Sequence, residues 1–300
     1  MLQPLDKSQE QQRLVLGGMG GIGKTQLAIA YAKSRHQLYD SVLWLNAGSE
    51  ATLRDSFLSI AKQIFRLQQP DKLQAEAAVI HTCQWLSDTR NRRWLLIFDN
   101  YDDPDEFEIK KYFPFASHGV VLITTRQPNL IAGKKISIQP IQDIEENLMI
   151  LQSRSKREGT RTDPHAKRLV ERLAGLPLAL ATAGAFVQHS TITFKRYLQE
   201  YEKRWNIDRR RPTRLEEYQD RTLFTTWDLS YRRVQDRDPD AAELLKLLAY
   251  FSNQSLWHGL FQAGLTDTSP RWLHDVVNTD ISFDSVMKTL TDHCSWKFRP

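Results

Sequence analysis

Gly18-Met19-Gly20-Gly21-Ile22-Gly23-Lys24-Thr25 has the spacing G-x-x-x-x-G-K-T. Its glycines, Gly18, Gly20, Gly21 and Gly23, keep Cβ atoms away from a backbone whose N–H groups can converge on phosphate oxygens. A helix starting at the end of this loop would add its partial positive charge. Lys24 would reach the outer phosphates, and the Thr25 hydroxyl is a hard oxygen ligand for Mg²⁺. A second group suits the same ion: Leu95-Leu96-Ile97-Phe98-Asp99 is an apolar run closed by a carboxylate. Asp99 can hold Mg²⁺ through water at the C-terminal end of a strand. Next comes Asn100. Rapid nucleotide hydrolysis needs a carboxylate at that place to orient the attacking water, and an amide cannot take its proton. Val121-Leu122-Ile123-Thr124-Thr125 ends in Arg126, a cation placed to sense a terminal phosphate. Asp102, Asp103, Asp105 and Glu106 read as a solvated acidic loop.

These groups need elements to carry them. Arg13–Leu16 reads as a short strand running into the glycine loop, and Thr25–Arg35 as the helix that follows. Ser41–Leu45, Trp94–Phe98 and Val120–Thr124 read as further strands, with Ile136–Ile138 as a fifth. Thr52–Leu67 and Ala75–Ser87 read as helices between them. Strands alternating with helices imply a parallel sheet with right-handed crossovers. From Asp143 the pattern turns helical: Ile144–Ser153, Ala166–Ala174, Leu178–Gln188, Phe194–Trp205, Leu223–Tyr231, Ala241–Phe251 and Ser282–Thr291. Asn206–Thr213 reads as a basic, Pro-containing connector. Trp44, Trp94 and Trp227 lie in apolar runs and read as core residues.

Composition excludes several classes. The 300 residues carry 41 Lys and Arg against 36 Asp and Glu, with 41% hydrophobic residues, as in an ordinary globular chain of two or three domains. Two cysteines, Cys83 and Cys294, support neither a disulfide framework nor a zinc site, and fit a reducing, cytoplasmic setting. Met1–Gln12 lacks the apolar stretch of a secretory signal. Leu176–Val187 is densely apolar but shorter than the ~20 residues of a membrane-spanning helix, so no membrane partner is expected. Ser153–Gln235 holds 18 Lys or Arg against 10 Asp or Glu. Its densest cluster, Arg209-Arg210-Arg211, has no accompanying aromatic stacking pattern, so solvated basic helices are expected there rather than a nucleic-acid surface. Asp236, Asp238 and Asp240 mimic half a calcium loop, but Ala241 and Leu247 occupy its glycine and glutamate positions.

Together, Gly17–Ala28, Leu95–Asn100, Ile123–Arg126 and Gly175-Leu176-Pro177-Leu178-Ala179-Leu180 resemble the nucleotide-binding core of NB-ARC proteins, in the STAND class of P-loop NTPases. Tyr39–Ala47 and Thr225–Tyr231 are similar, more narrowly, to NOD-like receptors of filamentous fungi. The resemblance spans roughly Leu14 to Leu290. It implies an α/β P-loop domain over 13–140, a helical domain over 141–206, a basic connector over 207–222, and a partial winged-helix-like, mostly α region over 223–300. It implies ADP or ATP with Mg²⁺ as cofactors. The nucleotide-binding residues would be Gly18, Gly20, Gly21, Ile22, Gly23, Lys24, Thr25, Gln26, Arg126 and Pro177, the last packing near adenine; Thr25 and Asp99 would serve the metal. Family members usually carry an effector domain before this core, a repeat sensor after it and a Met-His-Asp motif. Asp292-His293-Cys294 is not that motif, and the expectation is a core without effector or sensor, from a fragment or a truncated gene product. The implied activity is a nucleotide-dependent signalling switch with self-association and a separate effector or sensor protein as partner. Two readings compete with it: a non-switching ADP-binding remnant or interaction module, and a true P-loop ATPase or kinase.

Overall fold

The computed structural model describes residues 11–65, 74–208, 218–251 and 256–293. Two compact units divide it, Met1–Gln139 and Pro140–Pro300.

In the first unit five strands form one parallel sheet: β1 (Gln12–Gly17), β2 (Ser41–Asn46), β3 (Trp94–Asp99), β4 (Val120–Thr125) and β5 (Lys134–Ser137), in the order β2-β3-β4-β1-β5. Helices α1 (Lys24–Ser34), α2 (Glu50–Phe65) and α3 (Ala75–Ser87) belong to the same unit. Parallel strands covered on both faces carry continuous apolar runs, and β3 divides its run by alternation. Leu96 and Phe98 pack with Leu53, Phe57 and Ile60 of α2 and Leu86 of α3. Leu95 and Ile97 pack with Ala28 of α1 on the other face. Trp94 is buried at the start of β3, and its Nε1 donates to the Leu86 carbonyl at 2.9 Å. The expected fifth strand begins two residues earlier than the apolar Ile136–Ile138 suggests and ends at Ser137. It is an edge strand whose Lys134, Lys135 and Ser137 are exposed, so backbone pairing with β1 rather than burial fixes it.

The second unit is helical throughout its described residues: α4 (Ile144–Ser155), α5 (Pro164–Arg172), α6 (Pro177–Gln188), α7 (Phe194–Asp208), α8 (Tyr218–Arg237), α9 (Pro239–Leu248), α10 (His258–Ala263), α11 (Arg271–Val277) and α12 (Asp280–His293). Asp143, Asp163 and Asp238 accept N–H groups in the first turns of α4, α5 and α9. Capping is thus the use made of the calcium-loop mimic's Asp238. Gly175 is the tight point of the G-L-P-L motif. It sits at φ +64°, and a Cβ there would lie 2.0 Å from the Ile141 carbonyl oxygen. Pro177 then occupies the first turn of α6, where its missing N–H costs nothing.

Three expectations need correction here. Trp227 is 52% exposed, not core. On α8 the buried positions are Thr222, Leu223, Thr225, Thr226, Ser230 and Val234, a face of mostly small side chains that turns the indole outward. The stretches expected as a basic connector, Asn206–Thr213 and 207–222, are partly helical, because α7 runs to Asp208 and α8 starts at Tyr218. Arg209-Arg210-Arg211 lies outside the described residues. Finally, α10 and α11 are helices that the sequence reading passed over. Among the described residues no helix is long and apolar enough to cross a membrane.

Candidate functional site

All five strands of the first unit point the same way, so their C-terminal ends share one edge. At that edge Gly17 of β1 is in register with Thr125 of β4, and Phe98 of β3 with Ile123 of β4. The glycine loop, Asp99 and Arg126 therefore meet because three neighbouring strands end together.

The loop between β1 and α1 ends at Gly23, which caps α1 at φ +99° with no side-chain bond to the helix amides. A residue with Cβ would be strained in that left-handed conformation. The amides of Gly20, Gly21, Ile22 and Gly23 donate to no acceptor among the described residues. A row of unpaired N–H groups at the N-terminus of an 11-residue helix is an anion-binding concavity. Lys24 Nζ donates to the carbonyls of Gly18 at 2.7 Å and Met19 at 2.9 Å, so the ammonium is folded over the loop. Burial holds Lys24 below the ordinary lysine range; Arg126 pushes the same way, while Asp102 and Asp99 oppose it. Ile22 is buried and anchors the loop, whereas Gln26 points to solvent on α1.

Asp99 Oδ1 accepts two hydroxyl hydrogen bonds, from Thr25 Oγ1 at 2.8 Å and from Thr124 Oγ1 at 2.6 Å. With its proton directed to Asp99, the Thr25 oxygen keeps its lone pairs for a cation. Thr124 in turn accepts the Asn100 N–H at 2.8 Å. Asn100 leaves β3 in the left-handed region at φ +68°, a conformation Asn tolerates better than most residues. Its carboxamide lies against Gly48, where a Cβ would come 3.0 Å from Asn100 Nδ2.

Arg126 packs over the glycine loop: a Cβ on Gly20 would lie 3.3 Å from its Cζ. Its Nε pairs with Asp102 Oδ2 at 2.9 Å, and its backbone N–H donates to Asp102 Oδ1 at 2.8 Å. Asp102 therefore departs from the solvated acidic loop expected for it. Asp103 does keep to loop duty, accepting the Asp105 N–H at 3.2 Å, and Glu106 accepts the Glu50 N–H at the start of α2. Pro177 is in the second unit, at the start of α6. The site reading missed Thr124 and Asp102. Two threonines closing an otherwise apolar strand were the available signal for the first; nothing local marked the second.

The NB-ARC domain family matches residues 1–153, just over half of the chain. The chain belongs to the NB-ARC family. An NLR-like protein of Hyaloscypha variabilis, described as nucleotide-binding with leucine-rich repeats, is 27% identical over 85% of this chain and 28% of its own length. The disease resistance protein RPM1 of Arabidopsis thaliana is 27% identical over 65% of this chain and 23% of its own. The NB-ARC chain thus spans about a quarter of the length of these curated relatives. Among solved structures, a Walker-type ATPase of Pyrococcus abyssi superposes with a TM-score of 0.44 at 12% identity, covering 97% of this chain and 86% of that one. Membership places the chain among nucleotide-binding signalling domains.

Proposed function

We propose that this NB-ARC core binds ADP or ATP·Mg²⁺ at the shared strand edge and works as a cytoplasmic signalling switch, hydrolysing ATP slowly at most. The observation that carries the reading is the convergence of Thr25 and Thr124 on one Asp99 oxygen, beside a row of unpaired amides and Lys24. That donor set suits the groups concerned. The amides of Gly20–Gly23 and the Lys24 ammonium would hold phosphates, with Gln26 following at the start of α1 and Arg126 facing the terminal one. Thr25 and Asp99 would hold Mg²⁺, a hard cation that prefers oxygen ligands and retains water. The metal, when bound, neutralises phosphate charge. Pro177 would contribute to the base pocket. Asn100 supports persistence of the triphosphate state, because an amide cannot accept the proton of an attacking water.

Switching follows if the two nucleotides favour different arrangements of the chain, since a ligand shifts an equilibrium only by its difference in affinity for the two states. The triphosphate form would self-associate and engage a separate effector or sensor protein. Calorimetric titration with ADP and with a non-hydrolysable ATP analogue, with and without Mg²⁺, tests binding. Sedimentation under the same conditions tests assembly. No detectable binding of either nucleotide removes the proposal. Binding without any nucleotide-dependent change in size leaves an ADP-binding module. Steady-state turnover in the ordinary enzyme range of ~1–10³ s⁻¹ would make the chain an ATPase instead.

A further inference from the structure

Asp102 is bound to the end of β4 at three points. Its carboxylate takes the Arg126 Nε at 2.9 Å and the Arg126 N–H at 2.8 Å, and its carbonyl takes Gln127 Nε2 at 3.0 Å. The carboxylate is thus fixed and largely covered, with 22% of its side chain exposed against 61% for Arg126. The immobile member of the pair is the anion, and the cation is the one with room to move. The same guanidinium lies against Gly20 of the phosphate loop. A guanidinium offers a planar fork of donors that suits carboxylate and phosphate alike.

We infer that Asp102 is an internal competitor for the terminal phosphate: it holds Arg126 when a diphosphate is bound, so that a triphosphate must share or displace an existing ion pair. The inference rests on nucleotide binding at this edge, and it makes Asp102 a specificity-determining residue that biases the site toward ADP. ADP, with no third phosphate, leaves the Asp102–Arg126 pair intact. ATP gains Arg126 only at the expense of that pair, and also places its extra charge near a fixed carboxylate.

The test is a double-variant cycle read as affinity for ADP and for a non-hydrolysable ATP analogue, both with Mg²⁺. Asp102→Asn removes the charge and keeps an oxygen that can accept the Arg126 N–H. It should strengthen analogue binding by roughly two- to fivefold, the range of an exposed ion pair, with ADP affinity unchanged. Asp102→Ser should shift the preference in the same direction, which guards against a peculiarity of the amide. In an Arg126→Gln background, Asp102→Asn should have no effect on the ratio of the two affinities. Equal gains for both nucleotides, or a gain in ratio that survives Arg126→Gln, would overturn the competitor role and leave only general charge removal. A parent protein that binds both nucleotides alongside an Asp102→Asn variant of unaltered preference overturns this inference alone. A parent that binds neither overturns the proposed function, and the inference falls with it.

Discussion

Helices α4 and α5 in the second unit begin on Asp143 and Asp163, each of which accepts two N–H groups of its helix's first turn. Helix α1 in the first unit begins on Gly23, which has no side chain to offer, and the amides of Gly20–Gly23 donate to no acceptor among the described residues. The three helix starts present the same physical problem, unpaired donors at a positive dipole end. At α4 and α5 the second unit solves it internally, with carboxylates that stabilise the fold. The first leaves it open, sets Lys24 beside it, and holds the Thr25–Asp99–Thr124 bonds close by; in the proposed function an external anion fills it. An open helix start beside a cation is thus what distinguishes the proposed site from the capped starts of α4 and α5.

Breaking the uncapped side should have the largest effect. Lys24→Ala removes a charge-assisted contact, and nucleotide affinity should fall by roughly 10–100-fold without loss of folding. Titration calorimetry with circular dichroism checks both halves. Unchanged affinity in a folded variant would erase the contrast between the two kinds of helix start. Asp99→Ala should follow, at about tenfold on ATP analogue binding with Mg²⁺ and much less on ADP binding in EDTA, since its proposed action runs through the metal. Equal losses in both media would remove the metal role. Asn100→Asp should raise single-turnover hydrolysis by a few-fold, well below the ~10²–10⁴-fold of a well-placed base, because position 100 lies against Gly48 in a left-handed turn. A rate equal to the parent's at saturating ATP·Mg²⁺ would show that the amide is not the limit. The smallest effect on nucleotide binding is expected of Asp163→Ala, a cap in the second unit. Loss of this cap should lower stability by about 1 kcal/mol in urea unfolding and leave nucleotide affinity untouched. A change in affinity there would blur the division between architecture and site.

What the sequence made legible follows the same physics. The continuous run Trp94–Asp99 and the glycine loop announce themselves because burial on both faces and a Cβ-free backbone each demand particular residue types at every position. Asp99 was legible for a local reason, as the carboxylate that closes that run. Asp102 was not, because its position depends on the left-handed turn at Asn100, which sends Tyr101 into the core and brings Asp102 to the end of β4. Nothing in the residue types of that acidic stretch distinguishes Asp102, which pairs with Arg126, from Asp103, which holds its own loop. Trp227 was misread because hydrophobicity was taken as a sign of burial. The buried face of α8 is instead built mostly from threonine, serine and valine with Leu223, and α8 packs against α6, α7, α9 and α12. The short helices α10 and α11, six and seven residues long, offer too few turns for a period to declare itself.

The strand order has a last consequence, one of scale. Because β4 lies between β1 and β3, the strands that end at the glycine loop, Arg126 and Asp99 are spaced by the lateral repeat of a sheet, ~4.8 Å per strand. That ruler is made of peptide hydrogen bonds and is indifferent to side chains. Substitutions at the edge can change the sign, reach or basicity of a group while leaving the gauge of the platform fixed. The span across which these groups must work is thus set by β-sheet geometry, about two strand widths from β1 to β3, before any chemistry is chosen.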